Sequence, residues 1–185
     1  MAWHVLPVVA ASDPRPWPDG AVRFYDSTGT ARTVPRAAAR WNASGARVNL
    51  VEVDSRAAAD VIFEVDDRRL RDVCGRDCLG YASSIGRPGD GQVHVLLADS
   101  LGSDPRPLSV WVTAHELGHV LGLEHQGGHA CSVMSEHAFD TRCAPSAAAG
   151  AASMDQLACV PAPADVKNAA RMYGGKPRRI DPQCR

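Results

Sequence analysis

Three histidines and one glutamate stand at spacings that suit a metal site. His115 and His119 are four residues apart, so on a helix they project from one face about one turn apart and can hold a single metal ion. Imidazole is a common ligand of zinc. Glu116 points roughly a third of a turn away from His115, where its carboxylate can take a proton from a water that the metal activates. The spacing therefore predicts a ligand pair with a neighbouring general base.

The end of the same helix is expected to supply a third ligand. Gly122 follows three residues after His119, at a point where a sharp turn needs a residue that can take a positive φ. Such a turn can bring His125 back toward the two helical histidines. Three protein ligands would leave the fourth position of a tetrahedral ion open, which is the arrangement of catalytic rather than structural zinc.

These residues form a longer motif, His115-Glu116-x-x-His119-x-x-Gly122-x-x-His125. Met134 follows it within the segment 131–135, and the whole resembles the zinc motif and methionine turn of the metzincin endopeptidases. The resemblance implies one catalytic Zn²⁺, bound by the three histidines, with Glu116 as the general base. It also implies that Met134 packs beneath the imidazoles as an apolar floor and does not bind metal.

The same resemblance implies a fold and a domain plan. The fold is α+β, of the metzincin type: a twisted, mixed, five-stranded sheet with two long helices above the cleft and a small C-terminal subdomain with one helix. All 185 residues would form one catalytic domain. Its upper subdomain, about residues 1–125, would contain the sheet and the zinc helix. Its lower subdomain, about residues 126–185, would contain the methionine turn and the C-terminal helix.

Alternating or continuous apolar residues predict three strands, at 21–25, 48–53 and 61–65. The last of these is expected in the centre of the sheet because its apolar run is nearly continuous. By resemblance to the matrixins, a subgroup of the metzincins, a short edge strand at 79–83 and a final strand at 92–98 complete the sheet.

In matrixins the edge strand binds extended peptide through its backbone, antiparallel to it, and the resemblance implies the same here. The residues expected to bind substrate in this way are Gly80, Tyr81, Ala82 and Ser83. An ordinary hairpin strand covered by another loop is the alternative interpretation of this stretch.

Helical spacing of apolar residues predicts a helix at about 31–42, with Trp41 in the core, and another at 163–173. The zinc helix is expected to begin with Ser109 as its N-cap. The charged stretch 66–77 is interpreted as a surface loop.

The six cysteines are interpreted as disulfides, because they lack the paired C-x-x-C spacing of zinc ribbons. The pairing favoured is local, with expected bonds Cys74–Cys78, Cys131–Cys143 and Cys159–Cys184. Free buried thiols are the alternative. Disulfides imply an oxidising compartment, so we expect a secreted, extracellular protein in its mature form without a signal peptide. An excess of arginine over lysine, with abundant Ala, Gly and Pro, indicates a bacterial source.

The charge and the apolar runs limit the classes of partner. A formal net charge of −1 gives no electrostatic reason to expect nucleic acid or an anionic membrane. We expect a monomer whose partner is a protein or peptide substrate. Because no latency segment is visible in the sequence, a separate protein inhibitor is one expected means of control. Structural Ca²⁺ has no defined site, and its acidic candidates are Asp66, Asp67, Asp90 and Asp99.

The expected reaction is hydrolysis of internal peptide bonds in extended polypeptides, with Glu116 passing a proton from water to the leaving amine. Two other functions remain open. One is a zinc-containing module that binds peptides without cutting them, although such a module would have no use for Glu116. The other is a zinc hydrolase of non-peptide amides, which would need a deep closed pocket instead of an open edge strand.

Overall fold

The computed structural model describes residues 14–30, 32–103, 106–126, 132–136 and 160–178. Their strands are β1 (Ala21–Asp26), β2 (Asn49–Glu52), β3 (Val61–Val65), β4 (Gly80–Ala82) and β5 (Val93–Leu97). Their α-helices are α1 (Thr33–Ala43), α2 (Asp67–Cys74), α3 (Pro107–Val120) and α4 (Pro163–Tyr173). The predicted α+β fold class is confirmed, and the predicted elements lie within one to three residues of these bounds.

The strands form one mixed sheet in the order β2-β1-β3-β5-β4. β1, β2, β3 and β5 run parallel to one another, and β4 runs antiparallel to β5. The predicted central position of β3 is confirmed, since its first three residues are fully buried. β4 is the last strand of the sheet, so no described strand pairs with its second edge.

The helices α1 and α3 pack against each other and carry the metal-binding motif into the core. Trp41 of α1 is fully buried and donates from Nε1 to the carbonyl oxygen of Ala114 in α3 at 2.9 Å. This hydrogen bond satisfies the indole N–H where water does not reach it. The predicted core position of Trp41 is confirmed, and the residue joins α1 to the helix turn directly before His115.

The interpretation of residues 66–77 as a surface loop is wrong, because most of this stretch is the helix α2. Asp66 caps the helix by accepting a hydrogen bond from the backbone N–H of Arg69 at 3.0 Å. Leu70 and Cys74 are the buried residues of α2 and stand one turn apart. Three apolar residues in a charged segment, one of them the exposed Val73, give too little periodicity to predict a helix from sequence.

The predicted N-cap of α3 is also wrong. The N-cap is Arg106, three residues earlier, and the helix begins at Pro107. Proline is well suited to the first helical position because it has no N–H to leave unsatisfied there. Ser109 therefore lies inside the first turn, where its hydroxyl donates to the Arg106 carbonyl oxygen at 2.9 Å.

The C-terminal end of α3 is held by residues from both ends of the described chain. Trp17 is 7% exposed and donates from Nε1 to the carbonyl oxygen of Val120 at 2.6 Å. The hydroxyl of Tyr173, the last residue of α4, donates to the carbonyl oxygen of Leu121 at 2.7 Å. These side chains satisfy carbonyl groups that have no partner within the helix.

The predicted disulfide between Cys74 and Cys78 is confirmed. It links the last turn of α2 to the residues directly before β4. The bonds expected for Cys131–Cys143 and Cys159–Cys184 fall outside the described residues. Among the described helices, none combines the length and the apolar character that a bilayer crossing requires.

Candidate metal centre

The three predicted ligands converge on one point. The Nε2 atoms of His115 and His119 are 3.1 Å apart, those of His119 and His125 are 3.1 Å apart, and those of His115 and His125 are 3.2 Å apart. His115 and His119 are almost completely buried in α3, whereas His125 lies beyond the helix end. The structure therefore brings together all three histidines that the sequence singles out.

The turn that returns His125 to the helix has the predicted conformation. Gly122 takes a φ of 91°, which is readily adopted only by glycine. Its N–H donates to the carbonyl oxygen of His119 at 2.8 Å, and the N–H of Leu123 donates to that of Gly118 at 2.9 Å. These bonds close the helix and reverse the chain within the few residues that separate the second and third ligands.

Hydrogen bonds to the other ring nitrogen orient two of the imidazoles. His115 donates from Nδ1 to the carbonyl oxygen of Val133 at 2.6 Å, and His119 donates from Nδ1 to that of Leu123 at 2.9 Å. Carbonyl oxygens only accept, so the ring hydrogen of these two histidines is on Nδ1 and the Nε2 lone pair is available to a metal. Nδ1 of His125 lies 3.5 Å from a carboxylate oxygen of Glu136, which favours the same tautomer.

The arrangement fits a metal ion by distance and by chemistry. A tetrahedral zinc with Zn–N bonds of about 2.0–2.1 Å would hold its nitrogen ligands about 3.3 Å apart, close to the observed separations of 3.1–3.2 Å. Because all three Nε2 atoms are acceptors, no hydrogen lies between them and only a cation at their centre would make the approach favourable. The Nδ1 partners are the outer-shell contacts that metal-binding histidines usually have.

The surroundings of the histidines keep them neutral. Burial lowers the pKa of His115 well below its usual value, and the nearby imidazoles lower it further, against a smaller effect of the Val133 carbonyl. Burial also lowers the pKa of His119 to about 4 and lowers the pKa of His125, where Glu136 acts in the opposite direction. Neutral imidazole is the form that binds metal, so the ligands are ready to bind at neutral pH.

Glu116 lies beside the ligands as an unpaired buried carboxyl group. It is 1% exposed, and neither of its oxygens forms a hydrogen bond with a described residue. Burial raises its pKa to about 8, while the nearby backbone amide of Ala82 has a smaller, opposite effect. Burying a carboxyl without a partner is unfavourable, and a cation held by the three histidines would offset that cost. A perturbed group in such a place is a candidate for catalysis.

Met134 is fully buried and lies directly against α3, as the sequence predicts for an apolar floor. A Cβ atom on Gly118 would overlap with the sulfur of Met134, so the glycine between the two helical ligands allows this close approach. The carbonyl oxygen of Met134 accepts from the N–H of Gln126 at 3.0 Å. The methionine turn thus contacts both the helix and the loop that carries His125.

Asp165 supports the site and was not predicted from the sequence. This fully buried residue accepts from the hydroxyl of Ser132, from the N–H of Val133 at 2.8 Å and from the N–H of Ala162 at 2.8 Å. It therefore joins the first turn of α4 to the methionine turn. The available signal was an aspartate just after Pro163, where a helix start favours acidic residues, but nothing in the sequence indicated its long-range partners.

The four residues predicted to bind substrate lie in or directly after β4, the edge strand of the sheet. Gly80 and Ala82 are buried and Tyr81 is partly buried, whereas Ser83 is exposed. Ser83 N–H donates to the carbonyl oxygen of His94 at 2.9 Å, and the carbonyl oxygen of Leu79 accepts from Ala98 N–H at 3.0 Å. Residues 79 and 83 therefore pair with β5, and the alternation along a strand directs the backbone groups of Gly80 and Ala82 to the opposite side of β4.

The remaining candidates stand apart from the centre. Within the described ranges, the three histidines are the group of metal-ligating side chains that converge, and the four aspartates considered for calcium are not part of it. His94 is partly buried, and its Nδ1 lies 2.9 Å from a carboxylate oxygen of Glu64. The same carboxylate accepts from Arg56 at 2.6 Å and from Arg69 at 3.1 Å.

No protein-family model matches the chain, and no curated protein matches its sequence. One similar solved structure is described as the structure of myroilysin, with 18% sequence identity and a TM-score of 0.43 over 60% of this chain. The match covers 52% of the myroilysin chain. At that identity and TM-score, the similarity assigns neither a function nor a residue role to the present chain.

Proposed function

We propose that this protein is a zinc-dependent endopeptidase of the metzincin type, which hydrolyses internal bonds of extended polypeptides. The observation that carries the proposal is the convergence of three oriented Nε2 atoms beside a buried, unpaired carboxyl group. Three ligands leave an ion open to water and substrate, as in catalytic zinc sites. A purely structural or peptide-binding site would not need an uncompensated carboxyl at this position.

The roles of the residues follow from their positions. His115, His119 and His125 would hold the ion. A bound zinc ion would supply Lewis-acid chemistry, by acidifying water and polarising a carbonyl group. Glu116 would accept a proton from the attacking water at a carboxylate oxygen and return it to the amine that leaves. Since Glu116 is buried, bulk water has little access to compete for that proton.

The position of β4 at the edge of the sheet supports an extended peptide as the substrate. Backbone groups of Gly80 and Ala82 point away from β5, although both residues are buried in the structure. A strand that reached these groups would bind through main-chain hydrogen bonds. β4 also contacts α3, so a peptide on the edge would lie near Glu116. This supports peptide rather than a small amide as the substrate.

We further propose that the protein acts outside the cell as a monomer, as one catalytic domain whose lower part begins near residue 126. The disulfide between Cys74 and Cys78 supports an oxidising compartment, because such bonds are rare in the cytosol of mesophiles. Nucleic acid and membrane are not among the proposed partners.

The decisive experiment compares wild-type protein with Glu116→Ala. Wild type is expected to cleave casein, to lose activity with a zinc chelator and to regain it with added Zn²⁺. Glu116→Ala is expected to retain about one zinc per chain by metal analysis and to lose cleavage by a factor of roughly 10²–10⁴. Equal cleavage by the two proteins would refute the proposed base, and zinc binding without any cleavage by wild type would instead support a peptide-binding module.

A further inference from the structure

Gly80, the first residue of β4, lies directly against Glu116. A Cβ atom on Gly80 would stand 2.5 Å from Oε1 and 2.9 Å from Cγ of Glu116. The same atom would stand 2.9 Å from Cγ1 of Val112, one turn earlier on α3. Gly80 is not among the glycines with a positive φ, so its backbone conformation does not require glycine. The requirement comes from the space that Glu116 and Val112 fill.

A substitution at position 80 would find little space elsewhere. Rotation of the Glu116 carboxyl group would move Oε1 away from a Cβ atom at position 80, but it would leave the overlap of that Cβ atom with Cγ. The Gly80 carbonyl oxygen lies 2.9 Å from the sulfur of Cys78 and 3.9 Å from that of Cys74. Disulfide sulfurs carry no hydrogen, so these are packing contacts. The disulfide therefore ties the strand to α2 and opposes its movement away from α3.

We propose that Gly80 is a positioning residue for Glu116. The missing side chain sets how closely β4 approaches α3, and so fixes the carboxyl group between the peptide-binding edge and the metal ligands. Neither Glu116 oxygen has a hydrogen bond of normal geometry to a described residue, and the Ala82 amide has only a small effect on the carboxyl group. Packing of this kind is therefore the main determinant of its position. The catalytic consequence rests on the proposed function, whereas the contact between the two residues does not.

The kinetic test uses Gly80→Ala with Gly89→Ala as its matched control. Gly89 has no positive φ, and a Cβ atom there would meet nothing within 4 Å. Gly80→Ala is expected to lower kcat at least about tenfold, because small displacements of catalytic groups have large effects. KM should change less than about threefold, and the zinc content should match wild type. An active Gly80→Ala enzyme with unchanged kcat would overturn the proposal.

A second measurement does not depend on activity. Urea unfolding of the zinc-free protein gives the midpoint shift caused by Gly80→Ala in wild type and in Glu116→Ala. We expect a lowered midpoint in wild type and less than half of that shift in Glu116→Ala, where removal of the carboxyl makes room for the methyl group. Equal shifts in both backgrounds would overturn the proposal. If wild type cleaves no peptide but the coupling is present, the proposed function fails while the role of Gly80 in placing Glu116 is supported.

Discussion

His115 donates a hydrogen bond from Nδ1 to the carbonyl oxygen of Val133 at 2.6 Å, so the methionine turn orients the first metal ligand through its backbone. Val133 is itself held by Asp165, which accepts from its N–H at 2.8 Å. A continuous chain of hydrogen bonds thus runs from α4 to the metal centre. The orientation of His115 thus depends on the carboxylate of Asp165, which lies 50 residues later in the sequence.

Asp165→Asn is expected to weaken zinc binding about 10- to 100-fold, the usual effect of losing an outer-shell partner. Oδ1 of Asp165 accepts from Ser132, and Oδ2 accepts from Val133 and Ala162. An asparagine side chain has one accepting oxygen, so it cannot replace both carboxylate oxygens. Competition with a chromogenic chelator would measure the affinity. Asn168→Ala is the control on the same helix, since Asn168 only accepts an exposed hydrogen bond from Arg171. Wild-type affinity in a folded Asp165→Asn variant would contradict the relay.

His119→Ala is expected to lose the metal, because two histidines alone bind zinc much more weakly than three. Metal analysis after dialysis would give the zinc content per chain. His94→Ala provides the comparison, since His94 is partly buried, is bonded to Glu64 and lies outside the convergent group. The ligand assignment would be wrong if His119→Ala kept its zinc or if His94→Ala lost it.

Tyr173→Phe is expected to lower the free energy of unfolding by about 1–2 kcal/mol. It removes the hydroxyl that donates to the Leu121 carbonyl oxygen at 2.7 Å and accepts from the Trp17 backbone N–H at 3.3 Å. Urea unfolding monitored by tryptophan fluorescence would measure the change. Since the affected carbonyl lies between His119 and His125, zinc affinity should fall as well. An unaltered midpoint would show that water replaces the hydroxyl at no cost.

The lowered pKa of Glu64 predicts that the folded protein loses part of its stability at acidic pH. Partial burial raises the pKa of this carboxyl, but hydrogen bonds from His94, Arg56 and Arg69 outweigh that effect and lower it to about 2 from a usual 4.5. The unfolded chain therefore binds the proton more readily, and the resulting stabilisation is complete above about pH 4.5 and is lost as the pH falls toward 2.

The variant Glu64→Gln tests this dependence in zinc-free protein. We expect it to be less stable than wild type by about 1–2 kcal/mol at pH 7, a value reduced by the exposure of both arginines. The difference should shrink between pH 4.5 and pH 2. A difference that stays constant over that range would show that the pKa of Glu64 is not lowered.

Local signals in the sequence predicted most of the scaffold and the placement of the ligands. The four-residue spacing of His115 and His119, and the glycine at 122, describe geometry within a few residues of the chain, which sequence patterns report well. The same holds for the apolar run of β3. The failures at Asp66–Asp77 and at Ser109 concern a short helix with few buried residues and the exact start of another, where local signals are weak.

The contacts that support the metal centre were beyond prediction because they join distant segments. Asp165 reaches Val133, and Trp17 reaches Val120, with no pattern in either partner to indicate the pair. The need for glycine at position 80 depends on how closely a strand passes a helix. Such distances arise from tertiary packing and are not encoded in any one stretch of sequence.

The hydrogen bonds from Trp17 and Tyr173 to the C-terminal end of α3 have a consequence for the biosynthesis of the protein. During synthesis, residues 115 and 119 leave the ribosome after Trp17 but before Tyr173, since the chain emerges from the N-terminus onward. The contact from Tyr173 can form only when α4 has docked, so we expect the three histidines to reach their final arrangement late in biosynthesis. An unfinished chain would carry the ligands without the means to arrange them.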